Sequence, residues 1–239
     1  IGPCLAASYR IEEGGRVYRF RLRPDVMFHD GRRLSVRDVR YSLERMLQSA
    51  GSEYRSMCTP IVGAQAMIDG TAAALAGFRI HSASEFSIEL ERPVAFFAGL
   101  LSHTASAIVP EGTGRIGASA AEGAVGTGPY RVARFEPGVR LELERNPNYW
   151  QRDLPRGERL VFHFGVSPQE VVAGFRAGRF SLAGDLSPAD VDALRRDAAL
   201  AGGYRETPRL STYFAAFNIR RGRLADVGLR RQLRAAVGG

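Results

Sequence analysis

Lysine is absent from this chain: all 33 basic side chains are arginine, set against 25 acids, for a formal net charge of +8. Codon bias in a GC-rich genome explains the absence without any functional meaning. An arginine surface for phosphates or nucleic acid would instead require the guanidinium groups to cluster. Most of them alternate with acids, as in RLELER and IELERP. One cluster stands apart, Arg220, Arg221, Arg223, Arg230, Arg231 and Arg234, with only Asp226 among them. A solvated helix and its entry loop account for that run, so nucleic acid is not an expected partner.

Other shortages exclude further classes. Two cysteines, Cys4 and Cys58, can make at most one disulfide, in an exported protein, and their number does not identify the compartment. The four histidines, His29, His81, His103 and His163, stand singly, with no HExxH and no CxxC, so no metal site is expected. No apolar run reaches the length of a membrane-spanning helix. No signal peptide is visible; the first residues already read as folded protein, so a leader would have been removed or lie outside this stretch. No GxSxG places a nucleophile. GTGRIG, from Gly112 to Gly117, has dinucleotide-site spacing, but Pro110 breaks the strand that should precede it. GTGPY lacks the Gly-Lys-Ser/Thr of a phosphate loop and leads into a strand instead of a helix. The carboxylate pairs Glu12-Glu13 and Glu142-Glu144 read as solvated charges, and nothing argues for catalysis or a cofactor.

What is present is a mixed α/β pattern. With 239 residues, 45% of them hydrophobic, the chain can bury one large core or two modest ones. Residues 17–23, VYRFRLR, alternate as a half-buried strand, and Asp30-Gly31 marks a turn. Ser35 caps a helix with Asp38 in its first turn and an apolar stripe of Val36, Val39, Leu43, Met46 and Leu47. A second helix is expected over Ile61–Ala76, a hairpin over residues 78–93, a short buried helix in VAFFAGLLSH and a short strand in SAIVPE. Residues 111–125, rich in glycine and alanine, form the best internal boundary. YRVARFE and VRLELER make a hairpin about Pro137-Gly138, and RLVFHFG is a further strand. Ser167-Pro168 and Ser187-Pro188 each open a helix, with Gly178 stopping the first. STYFAAFNI reads as a buried strand and ADVGLRRQLRAAV as a terminal helix. Interleaved strands and helices exclude a bundle or a sandwich.

Several stretches together resemble the family 5 extracellular solute-binding proteins, which include the dipeptide- and oligopeptide-binding proteins of ABC importers. The resemblance is carried by YRFRLRPDVMFHDGRRLSVRDVRYSLERM and IVGAQAMIDGTAAALAGFRIHSASEFSIELERP. It continues through VGTGPYRVARFEPGVRLELERNPNYW, VVAGFRAGRF and FNIRRGRLADVGLRRQL. It implies a periplasmic-binding-protein type II architecture with an extra small domain, ligand being trapped between two lobes that close about a hinge. Residues 1–128 would be the extra domain and residues 129–239 part of the first lobe up to the hinge. Family chains are longer, so the opening strand of the first lobe and nearly all of the second are expected to lie outside this stretch.

The resemblance further implies a non-enzymatic receptor, periplasmic or extracellular and in some members a membrane-anchored lipoprotein. It would deliver a peptide or similar small solute to ABC permease membrane subunits. A ligand-sensing domain of a regulator with the same fold is the alternative, and a hydrolase a third class. Ligand contacts are implied for Tyr54 in GSEYRS and for Tyr213 or Phe217 in STYFAAFN, each of which has core packing as its competing reading. The chain departs from the family pattern near the hinge side: Gly178 is followed by Arg179, Phe180 and Ser181, Gly222-Arg223-Leu224 replaces a Pro-Pro-Phe-like entry, and Arg230-Arg231-Gln232-Leu233 replaces Arg-x-Ala-Leu.

Overall fold

The computed structural model describes residues 4–49, 53–114, 124–207, 216–220 and 222–236. The chain divides into two compact units, Ile1–Val166 and Ser167–Gly239.

The first unit carries two antiparallel sheets. The larger has the order β1-β2-β4-β3, from β1 (Ala6–Glu12), β2 (Val17–Leu22), β3 (Phe78–Ile80) and β4 (Glu85–Glu89). The alternation in β2 turns Tyr18, Phe20 and Leu22 into the core, as the period of two requires. Register then sets aromatic rings side by side: Tyr9 is opposite Phe20, and Phe20 is opposite Phe86. The result is a ladder of rings across all four strands, Tyr9 to Phe20 at 5.7 Å, Phe20 to Phe86 at 5.1 Å and Phe86 to Phe78 at 4.9 Å. Such pairs add to the area they bury. β1 is an edge strand not foreseen from the sequence, because four of its seven residues are exposed and its alternation is weak.

Helix α1 (Val36–Gln48) buries the expected stripe, Val36, Val39, Leu43, Met46 and Leu47, in this core. Its N-terminus is closed by Asp38, which accepts from the Ser35 backbone N–H at 2.8 Å and the Ser35 hydroxyl at 2.7 Å. The other Asp38 oxygen accepts from the Glu111 N–H at 2.8 Å. Asp38 is thus a buried carboxylate with its bonds satisfied, which is what allows it to be there.

Two expected elements are corrected. The helix foreseen over Ile61–Ala76 is only α2 (Ala64–Ile68). Ile61 bridges to Leu90, and the Val62 N–H bonds the Glu89 carbonyl at 3.0 Å, so the start of the segment is extended against β4. Gly63 and Gly70, at φ 80° and 72°, bound the helix on either side. The strand foreseen in SAIVPE is irregular chain after α3 (Phe97–Leu100). Its polar groups are taken by α1: the Val109 N–H donates to the Ser42 hydroxyl at 2.9 Å, and the Glu111 N–H donates to the Asp38 carboxylate at 2.8 Å. GTGRIG lies partly outside the described residues.

The smaller sheet, β5-β6-β7, is built from β5 (Tyr130–Glu136), β6 (Arg140–Arg145) and β7 (Arg159–His163). Gly138, at φ 73°, supplies the left-handed residue that the β5–β6 turn needs. One face is a lattice of ion pairs and the other is apolar, with Leu141 opposite Phe162 and Leu143 opposite Leu160. Glu142 corrects the reading of Glu142-Glu144 as solvated charges: it is buried between Arg140, at 2.8 Å, and Arg159. Glu144 follows the expectation, half-exposed and paired with Arg131 at 2.7 Å.

The second unit holds α4 (Pro168–Arg176), α5 (Pro188–Arg196) and α6 (Val227–Ala236). The two serine-proline starts are as foreseen, and Gly178 at φ 72° follows the first helix. Gly174 in α4 lies under the Phe180 ring, which folds back over the helix where a Cβ would collide with it. Most of STYFAAFNI lies outside the described residues. Its described end corrects the expectation of a buried strand: residues 216–219 are not in a strand, and Phe217 and Ile219 are exposed. Asn218 bends this segment by accepting from the Arg220 N–H at 3.1 Å. In the arginine run, Arg230 caps its own helix entry through the Leu224 and Ala225 carbonyls, at 2.7 and 3.0 Å. Arg221 lies outside the described residues.

Candidate functional site

Tyr54 sits on a 3-10 turn, Glu53–Met57, and is 42% exposed. Its ring meets the imidazole of His103 at 5.1 Å between centroids and 36° between planes. His103 is held at the start of the next 3-10 turn, its Nδ1 accepting from the Ala105 N–H at 3.1 Å. An Nδ1 that accepts leaves the proton of the neutral ring on Nε2. A tyrosine and an imidazole are therefore presented together on the surface of the first unit.

His103 also lines an apolar groove of about 580 Å³. Its walls include Tyr9, Phe20, Val39, Leu101 and Trp150. The open end of the aromatic ladder thus faces this groove. Burial pushes the Tyr149 hydroxyl above its ordinary range, with the nearby Cys4 thiol adding to the rise. Burial also raises Tyr18, whose hydroxyl donates to the Val94 carbonyl at 2.9 Å. The Arg23 guanidinium lies 4.2 Å from the centroid of the Trp150 ring and donates to the Cys4 carbonyl at 2.7 Å. Such a groove can shelter an apolar group and orient it with a few polar edges.

Phe217 belongs to the second unit, where it is 39% exposed, against a reading as plain core. Tyr213 lies outside the described residues. His103 and the β1 wall of the groove were not identifiable from sequence: a lone histidine carries no spacing signal, and β1 was not read as a strand. Among the described residues no three His, Cys, Asp or Glu side chains gather as a metal site, and no helix is long and apolar enough to cross a membrane.

The match to a known family spans nearly the whole chain: residues 1–237 fit the bacterial extracellular solute-binding proteins, family 5 Middle. The chain belongs to family 5 of the bacterial extracellular solute-binding proteins. Among family 5 relatives, Di/tripeptide-binding protein 2 of Pseudomonas aeruginosa is 29% identical, over 97% of this chain and 45% of the relative. The Dipeptide-binding protein of Escherichia coli is 24% identical, over 98% of this chain and 45% of its own length. The chain therefore spans about half the length of these relatives.

Solved structures give the same architecture. The Escherichia coli murein tripeptide binding protein MppA superposes with a TM-score of 0.80 at 23% identity, covering 93% of this chain and 44% of MppA. Haemophilus influenzae OppA, in complex with RPPGFSPFR, superposes with a TM-score of 0.74 at 24% identity, covering 82% of this chain and 40% of OppA. The fold is mixed α/β of the periplasmic-binding-protein type II class, as the family 5 resemblance implied.

Proposed function

We propose that this chain is part of the substrate-binding component of an ABC importer, which captures a peptide or similar small solute by closing two lobes around it. The observation that carries this reading is the family 5 match over residues 1–237, in company with relatives named for dipeptides and tripeptides. In this reading residues 1–128 are the extra small domain, and residues 129–239 are part of the first ligand-binding lobe up to the hinge. The protein works in the periplasm or outside the cell, free or as a membrane-anchored lipoprotein, and hands its ligand to ABC permease membrane subunits. It binds and releases without chemistry. No observation favours a ligand-sensing regulator.

Tyr54, Tyr213 and Phe217 are the proposed ligand contacts. Tyr54 is supported by its exposure and by its pairing with His103, since an amphipathic ring on the surface can cover a ligand and still offer a hydroxyl. Calorimetric titration of the full-length protein with a panel of dipeptides and tripeptides tests the reading. Tyr54→Ala is expected to weaken binding by about tenfold with the melting temperature unchanged. Equal affinities for the variant and the parent would remove Tyr54 from the site, and no binding of any peptide by the parent would remove the peptide reading itself.

A further inference from the structure

Three motifs far apart in the chain meet at one stretch of backbone. FHDG contributes His29, GTGPY contributes Gly126 to Pro129, and NPNYW contributes Asn146. The His29 backbone N–H donates to the Gly126 carbonyl at 2.8 Å. The Gly126 N–H donates back to His29 Nδ1 at 3.2 Å, and His29 Nε2 lies 3.1 Å from the Gly128 carbonyl. That carbonyl accepts a second bond, from the Asn146 amide at 2.9 Å, while the Asn146 N–H donates to the Pro129 carbonyl at 2.9 Å. The imidazole is therefore placed as acceptor on one nitrogen and donor on the other. Only the neutral Nε2–H tautomer satisfies both partners.

We infer that His29 is a proton-operated clasp on the crossing between the two sheets of the first unit. While the ring is neutral, it ties residues 126–128 to the turn that follows β2, and Asn146 ties the same carbonyl to the end of β6. A proton on Nδ1 replaces the acceptor with a donor facing the Gly126 N–H, so that bond must break and the crossing loosens. The charged groups nearby are committed to other partners. Asp30 holds Arg32 on the same turn, with 3.1 Å between them, and Arg145 beside Asn146 holds Glu158 at 2.9 Å. Residues 124–129, Ala-Val-Gly-Thr-Gly-Pro, contain no ionisable side chain.

The clasp is distinct from ligand binding and is testable without a ligand. In the full-length protein, hydrogen–deuterium exchange of the peptide covering residues 124–130 is followed at about pH 8 and about pH 5, the span over which imidazoles change charge. After correction for intrinsic exchange, the parent is expected to exchange about tenfold faster at the lower pH, the loss of one hydrogen bond. His29→Asn keeps an acceptor and a donor but does not titrate, so its protection should be equal at the two pH values. Histidine-selective nitrogen-15 spectra of the parent should show His29 as a single Nε2–H tautomer at the higher pH. A parent whose protection does not respond to pH, a His29→Asn variant that still responds, or an Nδ1–H or averaging tautomer at His29 would each overturn the clasp.

Discussion

Cys58 and Cys4 show how environment divides two identical side chains. Both are free thiols; Cys58 is buried in the core of the first unit and Cys4 is exposed. Burial disfavours the thiolate and pushes Cys58 up to about 12, far from the reactive form at neutral pH. Iodoacetamide should therefore modify Cys4 in the native protein and reach Cys58 only after denaturation. Rapid native labelling of Cys58, located by peptide mass spectrometry, would contradict this burial. Neither fate was visible in the sequence, which gives two cysteines no context. Glu142 teaches the same lesson from the other side. An acid in RLELER alternates as a surface residue does, and only the pairing of β6 with β7 brings Arg159 to it.

At the scale of elements, the strongest local signals were those that carry their own chemistry. Ser35 with Asp38, and Ser167 with Pro168, each specify a helix start within four residues, and α1 and α4 begin there. Glu170 accepts from the Ser167 hydroxyl at 2.7 Å and the Ser167 N–H at 3.0 Å, and these bonds hold its pKa below the ordinary carboxylate value. A depressed carboxylate contributes stability above its unfolded-state value and loses it as pH falls through the lower folded-state one. Amide exchange in the first turn of α4 should accordingly quicken on acidification in the parent. In Glu170→Gln it should be flat over the same range; an equal response in both would exclude Glu170 as the cause. Where the sequence reading failed, long-range bonds overruled local preference. The foreseen helix at Ile61 lost its start to β4, and the foreseen strand at residues 106–111 lost its polar groups to α1.

For the molecule as a whole, family and fold were legible because the motifs are backbone devices. Gly138 turns a hairpin, and Asn146 and His29 hold the crossing at Gly128. Such devices tolerate little substitution and so mark the fold. The proposed ligand contacts were less legible, because single exposed aromatic side chains carry no pattern of their own. Tyr54 belongs to one unit and Phe217 to the other, and no spacing rule links them. The groove beside His103 depends on β1, a strand whose exposure hid it.

One contact at that groove has an optical meaning. Trp150 is the single tryptophan of the 239 residues, and a guanidinium lies over its ring. The emission of this chain is consequently the signal of one indole under one cation, and its colour and quenching report how firmly the chain leaving β2 is pressed against NPNYW. A dye-free gauge of that junction is already built into the chain.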